Sequence, residues 1–114
     1  DMKHKAGYCA VTSETATAAA KCDVRARQGV FEGIFARLAV CVKACLACST
    51  CRYVSFSPLR YKNDCSWYAV CNMEHLEHVM TDGRHRSFMV RHENGTMADG
   101  VSDMLLREDR RLQR

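Results

Sequence analysis

The chain has 114 residues and carries 17 Lys/Arg against 13 Asp/Glu, a net charge of +4. That length argues for one domain, and the charge lacks the basic stripe of a nucleic-acid binder, because Glu108 and Asp109 interrupt the dense run 107–114. No apolar stretch reaches membrane-spanning length, since Arg37 and Lys43 break the run around Leu38, and no leader is visible at Asp1, so export implies that one has been removed.

The Ala/Thr-rich residues 11–20 read as a short helix between Cys9 and Cys22, and 29–35 as a short strand or turn. The first strong element is a helix over 34–48, in which Ile34, Leu38, Cys41, Val42, Cys45 and Cys48 recur at three- and four-residue steps opposite Lys43. At 100° per residue Cys41, Cys45 and Cys48 fall within about 60° of arc and point the same way. No Ser, Thr, Asp or Asn stands just before Phe35, which leaves Gly33 as the cap or no cap at all.

Residues 51–57 alternate Arg52, Val54 and Phe56 against Tyr53, Ser55 and Ser57, a strand period. Pro58 ends that strand because it cannot donate to a ladder. Asn63-Asp64 is the turn before a second strand, 65–70, with Cys65, Trp67 and Ala69 on one face. A short helix is expected over 72–80, with Leu76 and Val79 inward, stopped at Thr81-Asp82-Gly83. A last strand spans 86–92, with Phe88 and Val90 inward. These segments make a domain over 1–92. Residues 93–114 form an extended tail without a core of its own, carrying the sequon Asn94-Gly95-Thr96 and the apolar stripe Met104, Leu105, Leu106 and Leu112.

Eight cysteines in so short a chain suit a fully paired disulfide framework in an oxidising compartment. Two metal readings compete with it. The run Cys41-x3-Cys45-x2-Cys48-x2-Cys51 has iron–sulfur spacings, but no x3-Cys-Pro and no glycine-rich loop follow. Cys71, His75 and His78 have helical spacing for zinc, but a fourth ligand would leave the other cysteines in an odd count. The disulfide reading is preferred, with no cofactor.

The order Cys41-Val-Lys-Ala-Cys45, Cys51-Arg-Tyr-Val-Ser-Phe-Ser57, Asp64-Cys65-Ser-Trp-Tyr68, Cys71, Leu76 and Arg86-Ser-Phe-Met-Val90 resembles the PAN/apple domains. The resemblance is to the PAN-like variants of algal and protist extracellular proteins, and it covers residues 41–90. It implies a small α+β fold, one main helix on a curved antiparallel sheet, with Cys41–Cys65 and Cys45–Cys51 as disulfides. Apple domains often join their termini by a disulfide, whereas no cysteine follows Cys71 here. For the remaining four, Cys48–Cys71 with Cys9–Cys22 is the first expectation, and Cys9–Cys71 with Cys22–Cys48 the rival.

No Gly-x-Ser-x-Gly elbow, phosphate loop or suggestive carboxylate pair is present, so no enzyme is expected. The resemblance implies a binding role, and two classes of partner compete. In the first, the chain is a protein-docking or structural accessory subunit of a larger assembly, with Met104, Leu105, Leu106 and Leu112 as the docked face. In the second, Tyr53, Arg60, Tyr61, Lys62, Trp67 and Tyr68 gather into a site for an acidic glycan, against the alternative that Trp67 and a neighbouring tyrosine are core. The compartment is extracellular, a secretory lumen, or an organelle lumen such as that of thylakoids, where the chain would serve a membrane complex.

Overall fold

The alternating segments on either side of Pro58 become a hairpin, and the rest of the sheet is built outward from it. The computed structural model describes residues 2–10, 22, 26–78 and 84–113. Its strands are β1 (His4–Ala6), β2 (Gln28–Val30), β3 (Tyr53–Ser57), β4 (Asp64–Tyr68) and β5 (Arg86–Met89). They form one five-stranded antiparallel sheet in the order β1-β5-β3-β4-β2. Among the described residues two helices, α1 (Leu38–Leu46) and α2 (Val101–Leu112), complete a small α+β fold.

One sheet face is the main core. Register sets Val54 beside Trp67 and Phe88, and Phe56 beside Cys65. Phe56 and Phe88 are nearly buried and the others wholly so, and they pack with Cys41, Val42 and Cys45 of α1. An isolated nine-residue helix is marginal in water, and no side chain caps its start. Its support is tertiary. Cys41 is bonded to Cys65 of β4, and Cys45 to Cys51 just ahead of β3. At the other end, the Arg91 guanidinium donates to the carbonyls of Leu46 (2.7 Å), Cys48 (2.7 Å) and Cys51 (2.9 Å), closing over the end of the helix.

The helix starts four residues later than its apolar period suggests. The Phe35 amide donates to Asn63 Oδ1 (2.7 Å) and its carbonyl accepts from the Leu59 amide (3.0 Å), so the backbone there belongs to the hairpin. Ile34, expected on the inward face, is consequently 69% exposed.

The opposite sheet face is polar yet buried. Ser55, Ser57, Ser66 and Ser87 are at most 1% exposed. Residues 7–10 cross over them, held by a directional chain: the Cys9 amide donates to Ser55 Oγ (2.9 Å), Ser55 Oγ to Ser87 Oγ (2.7 Å), and Ser87 Oγ to the Gly7 carbonyl (2.9 Å). The Ser55 and Ser87 hydroxyls thus each donate once and accept once, which satisfies their burial, whereas Ser57 Oγ is buried without a partner among the described residues. Gly7 allows the crossing: its φ is +112°, and a Cβ there would lie 2.9 Å from the Glu77 carbonyl and from Leu76. The Tyr68 hydroxyl donates to the Ala10 carbonyl (2.6 Å), and burial pushes its pKa up.

Three further expectations change. Residues 72–78, read as the start of a helix, instead turn and form a bridge between Glu77 and Tyr8, while Val79 and the stop at 81–83 lie outside the described residues, as does the helix expected over 11–20. The disulfides are Cys9–Cys71 and Cys22–Cys48. The first expectation, Cys48–Cys71 with Cys9–Cys22, is therefore wrong, because the crossing of 7–10 over the sheet carries Cys9 to Cys71 and away from Cys22. All eight cysteines are paired.

The tail is also not extended. Ala98 and Val101 join the core at 4% and 0% exposure, and α2 lies against α1. Arg37, at the α1 N-cap, donates through Nε (2.9 Å) and Nη2 (2.6 Å) to Glu108 Oε1. These bonds hold the Glu108 carboxyl below its ordinary value of 4.5, against the opposing effect of desolvation. A carboxyl whose folded pKa is depressed contributes stability above its unfolded pKa, and that contribution is lost as pH falls through the folded pKa. Acidification below the ordinary glutamate range is thus expected to loosen α2. In urea unfolding measured from neutral to acid pH, Glu108→Gln should lower stability at neutral pH and flatten the acid limb. An unchanged acid limb would assign the pH dependence elsewhere.

Candidate functional site

The connection between β3 and β4 is a small rigid platform. Asn63 takes a left-handed φ of +47°, which asparagine tolerates better than most residues. Its amide and that of Tyr61 both donate to the Pro58 carbonyl (3.0 Å each), closing the turn. Its side chain then reaches across, donating through Nδ2 to the Gly33 carbonyl (2.9 Å) while Oδ1 accepts from Phe35. Residues 33–35 and 58–63 therefore form one unit at one end of the sheet.

That unit carries three of the exposed large apolar side chains: Ile34 at 69%, Leu59 at 47% and Tyr61 at 36%. Cations surround them. The Arg84 guanidinium lies 3.9 Å from the Tyr61 ring centroid and that of Arg60 5.1 Å, a double cation–π arrangement. Lys62 is exposed beside them. Asp64, the carboxylate next in sequence, is turned inward: Oδ1 accepts from Ser66 Oγ (2.8 Å), and Oδ2 lies 2.9 Å from His85 Nε2. Its charge is engaged below the platform, so the tip is apolar at its centre and basic around it.

The six residues grouped for a glycan site fall into two places. Arg60, Tyr61 and Lys62 lie on the tip, whereas Tyr53 and Tyr68 pair at the far end of the hairpin. Tyr68 is 1% exposed and structural; Tyr53 is half-buried under the Arg52 guanidinium at 5.6 Å. Trp67 is wholly buried, stacked on Phe31 with centroids 6.2 Å apart. The C-terminal stripe divides too. Met104 and Leu105 pack on the chain's own core, while Leu106 and Leu112 are 51% and 60% exposed. Asn94 stands exposed on a turn, its Oδ1 accepting from the Thr96 amide and hydroxyl.

Cys71, the sulfur of the zinc reading, is bonded to Cys9, and with every cysteine in a disulfide no thiolate remains to ligate zinc or a cluster. Among the described residues no helix is long and apolar enough to cross a membrane. Four disulfides fit an oxidising environment.

Ile34 and Arg84 were not legible as site residues. The helical period places Ile34 inward, and Arg84 is over twenty positions from Tyr61 with no pattern joining them. Comparison with family models, with curated proteins and with solved structures gave no match for this chain.

Proposed function

We propose that the chain is a non-catalytic, PAN/apple-like docking module that joins a larger assembly in an extracellular or lumenal compartment through its hairpin tip. The observation that carries this is the tip itself: Ile34, Leu59 and Tyr61 exposed on a platform pinned by Asn63, with Arg60, Lys62 and Arg84 around them. Protein interfaces combine an apolar or aromatic centre with a polar rim, and arginine and tyrosine are enriched where binding energy concentrates. Such a tip suits a partner with a small apolar recess and an acidic border. The PAN/apple part of the reading is supported by the Cys41–Cys65 and Cys45–Cys51 disulfides, the pairs that the resemblance implies.

A second reading, an acidic glycan held against Tyr61, draws on the same flanking arginines. The aliphatic Ile34 and Leu59 favour protein. A photo-crosslinking residue at position 59, used in the native compartment, separates the two readings. A discrete, saturable protein adduct is expected, with capture roughly tenfold weaker for Arg60→Glu/Lys62→Glu. Retention on sulfated-glycan resin that the same variant abolishes, without a protein adduct, would replace the docking reading with the glycan one. Undiminished capture by the variant would remove the tip from the interface.

A further inference from the structure

Away from the hairpin tip, a cavity of about 260 Å³ opens between the β1–β5 edge of the sheet and α2. Met2, Leu38, Phe88 and Met104 line its walls, and Met2 and Phe88 are more than nine-tenths buried. Apolar and polar groups share its lining about equally, and this volume suits only a small molecule.

The polar side chains lining it are His4 of β1 and Asp103 and Arg107 of α2. Asp103 and Arg107 stand four residues apart on one helix, a spacing at which opposite charges are neighbours and commonly pair. Among the described residues neither makes an ion pair or hydrogen bond. The adjoining carboxylates differ: Glu108 is held by Arg37 and Arg111, and Asp109 lies 3.7 Å from Lys43. The cavity therefore has one carboxylate and one guanidinium, side by side, with neither charge internally neutralised. His4 is already engaged: Arg86 Nε donates to its Nδ1 (3.3 Å).

We infer that this cavity binds a small zwitterion with an apolar body, in chemical terms a free α-amino acid with an aliphatic or thioether side chain. Its side chain fills the Met2/Leu38/Phe88/Met104 walls, its ammonium pairs with Asp103, and its carboxylate pairs with Arg107. An apolar monoanion would leave Asp103 facing like charge, and an apolar amine would do the same to Arg107. A zwitterion offers each of them a partner of opposite charge.

The test is a titration of the isotope-labelled, oxidised chain with L-leucine, followed by amide and methyl NMR. Saturable shifts are expected at Phe88, Asp103, Met104 and Arg107. N-acetyl-leucine and leucinamide, each lacking one charge, should bind at least roughly tenfold more weakly. Asp103→Asn and Arg107→Gln lie on the exposed helix surface, and each should weaken leucine by a similar factor while leaving the unliganded spectrum otherwise intact. Met104→Trp, which fills the cavity, should abolish the shifts. Absence of saturable shifts, equal binding of the capped analogues, or leucine binding that survives both charge variants would overturn the assignment.

Discussion

Replacing Cys41 and Cys65 together by alanine is expected to lower unfolding stability more than loss of any other single disulfide in the chain. Loop-closure entropy alone does not give that order. The Cys9–Cys71 bridge spans 62 positions and Cys41–Cys65 only 24, which corresponds to about 4.3 against about 3.5 kcal/mol. Burial reverses the ranking. Cys41 and Cys65 are both 0% exposed and sit among Val42, Val54 and Trp67, so their loss also leaves a void between α1 and the sheet. Cys9 and Cys71 are only half-buried, and opening their bridge releases a peripheral segment while the main core stays closed. The expected cost for Cys41→Ala/Cys65→Ala is about 4–5 kcal/mol, a large fraction of the 5–15 kcal/mol typical of a domain. Urea unfolding of the four double-alanine variants gives the ranking directly. A larger loss for Cys9/Cys71 would mean that denatured-state entropy outweighs packing in this fold.

The same contrast between local pattern and long-range contact decides what was readable in the sequence. The β3–β4 hairpin was legible because its signals are local: alternation on both sides, a proline that stops one strand, and Asn63-Asp64 at the turn. The inward face of α1 was legible from Leu38 onward for the same reason. Its start was not, since the Phe35 backbone is taken by a hairpin that lies more than twenty residues downstream. Alternation assigns Ser55 and Ser57 to the solvent side, yet both are buried, and residues 7–10 meet Ser55 with hydrogen bonds no local rule anticipates. Strands β1 and β2 have three residues each, too few for any period to register. The amphipathic stripe at 104–112 was legible as a stripe, but which surface it covers depends on where Arg37 meets Glu108. The basic half of the candidate docking tip was visible at Arg60 and Lys62, and its apolar half at Ile34 was hidden by the misplaced helix start.

Arg91 carries the second large expected effect. Residue 91 follows the last strand, and its guanidinium fans out over the C-terminal end of α1. Nη1 donates to the Cys48 carbonyl at 2.7 Å and that of Cys51 at 2.9 Å, and approaches Cys45 at 3.4 Å, while Nη2 donates to Leu46 at 2.7 Å. A cation at this position meets the negative end of the helix dipole and adds donors to carbonyls at the end of the last turn and just beyond it. The Arg91 side chain is thus the link between the end of β5, the end of α1 and the approach to β3. Arg91→Met keeps most of the apolar stem and removes every donor. Hydrogen bonds to a charged donor contribute about 1.5–3 kcal/mol each, but bonds sharing one guanidinium are not additive, so the expected loss is about 3–4 kcal/mol. Arg91→Lys restores the charge without the planar fork that reaches several carbonyls at once, and should recover less than half of that loss. Urea unfolding of the two variants measures both values. Amide exchange supplies the location, with protection expected to fall first at Ala47 and Cys48, whose amides donate to Lys43 and Cys45 in the last turn of α1. If Arg91→Lys matched the wild-type protein, charge at the helix end would account for the effect and the fan of bonds would not.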